Sequence, residues 1–125
     1  MSQARSNPVR SFLYLQAKPG MRDDLVDVFR RIDVPGHALQ QAGCLSVEVQ
    51  TPPDPDAPML VTALWTHREA YDGWLANPWR EWSGEQLAPF IGDEMPGGIV
   101  YDVVLAGGDV SAVAAGAPTV PSREE

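Results

Sequence analysis

The segment 63–82, ALWTHREAYDGWLANPWREW, concentrates the side chains with which this sequence can do chemistry. Trp65 offers one indole N–H donor and a broad flat face, and Tyr71 offers a phenolic hydroxyl. His67 lies between them, and imidazole is a base near neutral pH. Such groups suit an aromatic ligand that carries oxygen atoms, so we take Trp65, Tyr71 and His67 as candidate catalytic residues. The alternatives are core packing for Trp65 and Tyr71 and a solvated surface position for His67.

All four tryptophans of the chain lie in this segment. They are too many for a small core to absorb fully, so some should line a cavity or a subunit contact. We assign Trp74 and Trp82 to a substrate site, without deciding which tryptophans serve the core instead. The opposite wall is assigned to Phe12 and Tyr14, and His37, in the loop region before the second strand, is a further candidate ligand contact.

The sequence gives no pattern for a metal or a cofactor. Neither histidine has acidic or cysteine companions at metal-ligand spacing. No nucleophile elbow, phosphate loop or dinucleotide fingerprint is present. We therefore predict neither a cofactor nor a metal. Cys44, beside Gly43 at the start of an apolar stretch, is interpreted as a buried structural thiol.

Charge and composition exclude several classes of partner. With 125 residues and a net charge of −8, the chain fits one acidic domain, and scattered basic residues argue against nucleic acid. No apolar run approaches the ~18 residues of a membrane span, and residues 1–10 lack the apolar core of a signal peptide. The single cysteine suits a reducing compartment. We predict a cytoplasmic protein without a membrane or nucleic-acid partner.

Hydrophobic periodicity predicts six main elements. Strands are predicted at residues 9–17, 43–50, 59–65 and 99–105, and one helix at 21–32. Residues 33–36 (DVPG) should end that helix, and 37–42 add a short turn. Residues 1–8 and 106–125 are interpreted as tails around a domain at 9–105, and Gly97-Gly98 as a turn. The order β-α-β-β-α-β is the ferredoxin-like α+β pattern.

The second helical region should begin and end at recognisable signals. Thr66 followed by Glu69 fits a capping box that opens a helix, and Pro78 resets the chain after Asn77. Beyond this proline, one helical face should collect five side chains: Trp79, Trp82, Ser83, Gln86 and Phe90.

A four-stranded sheet with helices on one face leaves its other face bare. Strands one, three and four are apolar on both sides, so this bare face should be apolar as well. Pairing with the same face of a second copy would bury it, and we therefore predict a homodimer.

Over roughly residues 9–105, the chain resembles the antibiotic biosynthesis monooxygenase family. The resemblance rests on the order of elements, the segments VRSFLYLQAKPG and GGIVYDVV, and the motif Trp65, Thr66, Glu69-Ala70-Tyr71, Trp74. The likeness is to the family's small members from aromatic polyketide pathways. It implies a dimeric α/β barrel with one pocket per subunit. It further implies oxidation of a phenol or anthrone to a quinone by O2 without flavin or metal.

In those relatives an Asn, a Trp and a Tyr hold the substrate, and Trp65 and Tyr71 match the last two. The position of the Asn is Val61 here, which departs from the family pattern. Heme-degrading relatives use an Asn near the end of the first strand and a His ligand. This sequence has Gln16 at the position of that Asn, and we keep Gln16 as a candidate substrate contact. Residues 82–85 contain no His that could bind heme iron, so we do not predict heme degradation.

We therefore predict a cofactor-independent monooxygenase of an aromatic polyketide-type substrate, with O2 as the second substrate. One alternative is a polyketide cyclase with the same fold and acid–base chemistry alone. Another is a non-catalytic protein that binds a reactive intermediate for a different tailoring enzyme. The oxygenated product differs from the cyclised product in mass.

Overall fold

The computed structural model describes residues 7–92 and 98–108. Most of both predicted tails, and Gly97 of the predicted turn, lie outside these residues. The elements are β1 (Val9–Leu15), α1 (Arg22–Arg31), α2 (Val34–Leu39), β2 (Cys44–Gln50), β3 (Met59–Trp65), α3 (Arg68–Leu75), α4 (Trp79–Leu87) and β4 (Ile99–Asp102), with a 3-10 turn Ala88–Phe90 after α4. None of the described helices is long and apolar enough to cross a membrane.

The four strands form one antiparallel sheet in the order β2-β3-β1-β4. This arrangement confirms the predicted ferredoxin-like α+β fold. The long central pair, β1 with β3, runs in register from Val9 opposite Trp65 to Leu15 opposite Met59. The predicted bounds of β3 are confirmed, whereas β1 and β4 are shorter than predicted. At residue 103 the chain leaves the sheet, and the Val103 amide donates to the Pro8 carbonyl.

The helices cover one face of the sheet. Residues at alternate positions of a strand share a face, so Val9, Ser11, Leu13 and Leu15 of β1 point toward the helices. The core on this side consists of two clusters. One joins α1, α2 and α4 to the sheet (Leu25, Val28, Phe29, Val34, Met59 and Leu87), and the other joins α3 to the opposite end of the central strands (Val9, Ala63, Trp65, Ala70 and Tyr71).

The other face of the sheet carries no helix among the described residues. Phe12 of β1 contacts Tyr101 of β4 edge to face at 5.5 Å, and Tyr14, Ile99 and Tyr101 are exposed. Strand β2 contributes polar side chains to this face, because Ser46, Glu48 and Gln50 lie opposite Leu64, Thr62 and Leu60. The predicted apolar face is therefore present in part on β1, β3 and β4. It is interrupted by Arg10, which lies opposite Tyr101, and it gives way to a polar strip on β2.

The helix ends correct two details of the sequence interpretation. The predicted capping box is wrong: α3 begins after an extended His67 without a side-chain cap, and the Thr66 hydroxyl lies 2.7 Å from His67 Nδ1. The short second helix begins at Val34, earlier than expected. Asp33 permits this start because it adopts a left-handed conformation, with φ at 58°, while its carboxylate accepts from the Gly36 amide at 3.1 Å.

The predicted aromatic face of α4 is also wrong in part. The buried positions of α4 are Ser83 and Leu87, and Trp79 is half-buried in line with them. Trp82 is 45% exposed, and Gln86 is exposed as well. Trp79, Ser83 and Leu87 are spaced by four residues and lie on one stripe of the helix. Trp82 follows Trp79 by three residues, so its ring lies to the side of this stripe and faces outward.

Candidate functional site

A cavity opens where the two core clusters meet, between the sheet and the helices. Its enclosed volume is about 70 Å³, and the depression including the mouth that opens to solvent measures about 490 Å³. The walls are mostly aliphatic and aromatic, and the side chains that matter for binding are Ser11, Val61, Trp65, Tyr71, Trp74 and Arg80. The cavity therefore combines apolar walls with a few polar groups, which is the usual composition of a small-molecule site.

Trp65 forms the floor of this site and is almost fully buried. It stands at the end of β3, is 1% exposed, and its indole Nε1–H donates to Ser11 Oγ at 3.0 Å. An indole has only this one donor. While the bond to Ser11 holds, Trp65 contributes a flat apolar surface to the cavity, and its donor is already engaged.

Tyr71 lies beside Trp65, with the two ring centroids 5.7 Å apart. Its hydroxyl packs against Gly98 at the start of β4, so closely that a side chain at Gly98 would overlap the phenol oxygen. Burial raises the pKa of Tyr71 above its ordinary value, and the charges of Arg80 and Arg68 oppose that rise. Tyr71 is therefore protonated at neutral pH and is able to donate a hydrogen bond, but it is not a base.

Arg80 supplies the charge that lines this cavity. It lies in the first turn of α4, with its guanidinium carbon 5.7 Å from the centre of the Trp74 ring and one N–H 3.5 Å from the Leu75 carbonyl. Stacking on Trp74 holds the cation over an aromatic face at the mouth. A guanidinium in this position attracts an anionic oxygen, and its multiple donors remain mostly unengaged within the described residues.

The structure places the other predicted site residues as follows. Trp74 lines the cavity, and Phe12 reaches it through its main chain, since its ring lies on the open sheet face against Tyr101. Tyr14 lies on that open face too. Gln16 is at the end of β1, where its amide donates to the Asp56 carbonyl at 3.0 Å. Neither the Tyr14 nor the Gln16 side chain lines the cavity.

Both histidines lie outside the cavity. His67 contacts Thr66 and stands 3.7 Å from a Glu69 carboxylate oxygen at the helix surface. His37 stacks on Trp79 with ring centroids 3.9 Å apart, and Trp79 in turn contacts Trp74 and the exposed Trp82. We call these four side chains, Trp74, Trp79, Trp82 and His37, the outer aromatic cluster. Only Trp74 joins this cluster to the cavity.

Three polar residues of the cavity lining were missed from the sequence: Ser11, Arg80 and Thr62, whose hydroxyl accepts from the Gln50 amide. A signal for Ser11 did exist, because it is the one polar residue among the inward positions of β1, at a place where Val and Leu are otherwise found. Arg80 gave no such signal, since an arginine near the start of a helix is ordinary. Within the described residues, no three His, Cys, Asp or Glu side chains converge to hold a metal ion.

The sheet order, the one-sided helical layer and the cavity between them define an α+β domain of the ferredoxin-like class with an interior cavity. The family model for antibiotic biosynthesis monooxygenase matches residues 8–81, which is more than half of the chain. The chain therefore belongs to the antibiotic biosynthesis monooxygenase family, as the resemblance predicted.

Solved structures with the same fold have low sequence identity. SnoaB, a cofactor-independent oxygenase from Streptomyces nogalater, is 18% identical with a TM-score of 0.66, and the match covers 81% of this chain and 97% of SnoaB. A Chloroflexus aurantiacus protein described as an antibiotic biosynthesis monooxygenase is 22% identical with a TM-score of 0.60 over the same shares of the two chains. One from Nitrosomonas europaea is 9% identical with a TM-score of 0.68, covering 86% and 100%. No curated protein matches the sequence significantly.

Proposed function

We propose that this protein is a cofactor-independent monooxygenase that oxidises an aromatic polyketide-type phenol or anthrone to a quinone in antibiotic biosynthesis. One observation carries the proposal. The Arg80 cation and the Tyr71 hydroxyl both line an apolar cavity floored by a buried tryptophan. Such a site favours a flat aromatic ligand whose oxygen bears negative charge. Family membership supports the same chemistry.

The electrostatics favour the ionised form of the substrate. Hydrogen-bond donors and a cation act more strongly on an oxyanion in a water-poor cavity than in bulk water. Tyr71 is protonated at neutral pH and donates, and Arg80 contributes a full positive charge at the mouth. Both groups thereby lower the pKa of a bound phenol or enol and increase the electron density of its ring system.

The oxidation balances without a cofactor when the substrate itself supplies the electrons. An anthrone methylene loses one proton to solvent and gives a resonance-stabilised anion. This anion forms a carbon–oxygen bond with O2 and, after taking up a proton, becomes a hydroperoxide. Loss of the second methylene proton with cleavage of the O–O bond yields the carbonyl and one water. One oxygen atom enters the product and the other leaves as water, so the protein only holds and stabilises the anion.

The cavity residues favour oxygenation over cyclisation. Among the described lining residues there is no histidine, aspartate or glutamate that could carry protons back and forth. A cyclase needs such a group for its aldol and dehydration steps, whereas an acidic phenol or enol ionises with little help. The non-catalytic binding protein stays the second candidate, because Val61 replaces the polar residue that the family places in this wall.

The size of the cavity indicates how the substrate lies. A cavity of roughly 150 Å³ admits a single benzene ring, so an enclosed space of about 70 Å³ holds less than one ring. A polycyclic substrate must therefore insert its reacting edge by displacing the wall and keep its remaining rings in the mouth, against Trp74 and Leu75. Leu75 is 44% exposed and can move without disturbing the core.

The test measures O2 consumption and product mass with metal-free protein and an anthrone, against buffer alone. We expect quinone that carries one new oxygen atom and forms only when O2 is present. Arg80→Gln should lower kcat/KM by about 10- to 100-fold, since a hydrogen bond to a charged group contributes a few kcal/mol. Arg30→Gln is the matched control, because Arg30 is exposed, pairs with Asp27 and does not line the cavity. Quinone formed without O2, or no rate above buffer, would contradict the proposal.

We further propose that two copies pair through the open sheet face. Exposed Tyr101, Ile99 and Tyr14 form its apolar part, and burying such a patch is favourable. Light scattering should give twice 13.6 kDa at micromolar concentration. Tyr101→Asp should yield the single-chain mass, whereas Leu39→Asp, at an apolar position on α2 that is also exposed, should leave the pair intact. A single-chain mass for the unmodified protein would rule out this pairing.

A further inference from the structure

Ser11 has a buried hydroxyl that accepts one hydrogen bond and, within the part of the chain that the structure describes, donates none. It is 8% exposed, and Oγ accepts the Trp65 indole N–H at 3.0 Å. A serine hydroxyl also has one proton to donate. Among residues 7–92 and 98–108, no acceptor takes this proton. The bond to Trp65 occupies one lone pair, so the remaining directions for the proton point away from the indole.

The cavity lies in one of those directions. Ser11 and Trp65 both line it, and the neighbouring wall positions on β1, β2 and β3 are Leu13, Val47 and Ala63. None of these three side chains can accept a hydrogen bond. A buried donor without an acceptor is unfavourable, so an oxygen atom placed in the cavity would gain the full benefit of satisfying it.

We propose that Ser11 donates a hydrogen bond to the anionic oxygen of the aromatic ligand, and that Trp65 is a positioning residue that acts through Ser11. This inference rests on the proposed function and deepens it, because it names the group that recognises the ligand oxygen at the inner end of the cavity. Tyr71 and Arg80 then contact the ligand from the helix side, while Ser11 contacts it from the sheet.

The assignment changes what the indole does. A free serine hydroxyl rotates among three positions and can point its proton at any of them. The Trp65 N–H fixes one lone pair of Oγ and so restricts the rotation before a ligand arrives. Selectivity follows as well, since a ligand without an ionisable oxygen would offer the buried donor only a weak acceptor or none.

Binding of 4-nitrophenol tests the inference without any turnover, because its phenol and phenolate forms have different absorption spectra. We expect the unmodified protein to lower the apparent pKa of the bound probe and to bind nitrobenzene at least about 10-fold more weakly. In Ser11→Ala the apparent pKa of the bound probe should rise by about one unit, the effect of losing one hydrogen bond to an anion. Ser11→Thr keeps the hydroxyl and should restore most of the shift.

Trp65→Phe separates positioning from contact. It keeps a ring in the floor but removes the N–H, so the apparent pKa of the probe should rise by less than in Ser11→Ala. The apparent pKa of the probe in the double variant should equal that in Ser11→Ala, because the indole N–H affects the bound oxyanion only through the Ser11 hydroxyl. Additive effects of the two substitutions would overturn the positioning role. Circular dichroism melts identify any variant that fails to fold, and Ser11→Thr then serves as the folded comparison.

The outcomes distinguish this inference from the proposed function. If the anthrone is oxidised but the apparent pKa of the probe is the same in Ser11→Ala as in the unmodified protein, the inference is wrong and the oxygenase proposal stands. If the probe shift depends on Ser11 but no anthrone is oxidised above the buffer rate, the oxyanion site is real and the oxygenase proposal fails. Failure of 4-nitrophenol to bind the unmodified protein would overturn the inference directly.

Discussion

The aromatic side chains of residues 63–82 divide into two groups with different surroundings. Trp65 and Tyr71 lie inside, at 1% and 8% exposure, and their polar atoms face Ser11 and Gly98. The outer aromatic cluster lies along α2, α3 and α4, and its Trp82 is 45% exposed. The inner group has polar atoms at defined positions, whereas the outer group mainly stacks ring on ring.

The difference follows from the elements that carry each ring. Trp65 is the last residue of a central strand, at a position whose side chain faces the helices, so the indole is buried between sheet and helices. Trp82 lies three residues after Trp79 on a helix that covers the sheet from outside, and it therefore rotates away from the buried stripe. The aromatic-rich segment 63–82 thus contains both rings that line the cavity and rings that lie at the protein surface.

The largest expected contrast concerns stability. Trp65→Ala removes a fully buried ring and should cost about 3–5 kcal/mol of unfolding free energy. Trp82→Ala removes a half-exposed ring that contacts only Trp79 among the described aromatic rings, and should cost about 1 kcal/mol or less. Urea unfolding of both variants measures the difference. Similar costs for the two substitutions would erase the distinction between inner and outer groups.

A second substitution acts on the inner group through its closest packing. Gly98→Ala should destabilise the protein by about 1–3 kcal/mol, because the added methyl overlaps the Tyr71 hydroxyl. Combining it with Tyr71→Phe removes the oxygen and should recover most of that loss. Thermal melting of the single and double variants provides the measurement. A double variant that is no more stable than Gly98→Ala alone would show that the clash lies elsewhere.

The inner group should also give stability a pH dependence at alkaline pH. Burial raises the pKa of Cys44, which packs against the Trp65 cluster, from 9.0 to about 11. A raised folded-state pKa means that the unfolded chain loses its proton first. The contribution of the protonated Cys44 thiol to stability is therefore fully present below pH 9 and is lost as pH rises toward 11. Urea midpoints between these values should fall less steeply in Cys44→Ala than in the unmodified protein. Parallel curves would show that another group, such as Tyr71, causes the dependence.

The smallest effect is expected at the outer cluster. His37→Ala removes the ring that stacks on Trp79 and should cost about 0.5–1.5 kcal/mol, the range for aromatic pairs. Binding of 4-nitrophenol should be unchanged, because neither His37 nor Trp79 lines the cavity. His37→Phe is the control that retains a ring. A loss of probe binding in His37→Ala alone would assign the stack to the site.

The sequence predicted the order of the elements, the bounds of β3 and the family. It did so because strand alternation and the Trp65-to-Tyr71 motif are local patterns that the fold preserves. Trp65, Tyr71 and Trp74, three of the predicted site residues, line the cavity, and their role in binding stays a prediction.

The remaining site residues depend on contacts between distant parts of the chain. Ser11 and Trp65 meet across two strands, and Arg80 reaches the mouth only because the chain turns at Pro78. Tyr14 was assigned to the cavity because β1 is apolar on both sides, and alternation alone does not say which side faces the helices. The Thr66 hydroxyl was expected to accept a hydrogen bond from a backbone amide in the first turn of α3, but it contacts the adjacent His67 imidazole instead.

The contact between Tyr71 and Gly98 has a consequence for the edge of the sheet. Strand β4 pairs with β1 over four residues, and its Val100 packs against the cluster that contains Tyr71. So short an edge strand separates transiently at low free energy, and its amide protons then exchange with solvent. A ligand that holds Tyr71 in place also holds the surface on which β4 rests. Occupancy of the interior cavity should therefore slow amide exchange along β4, at one edge of the sheet.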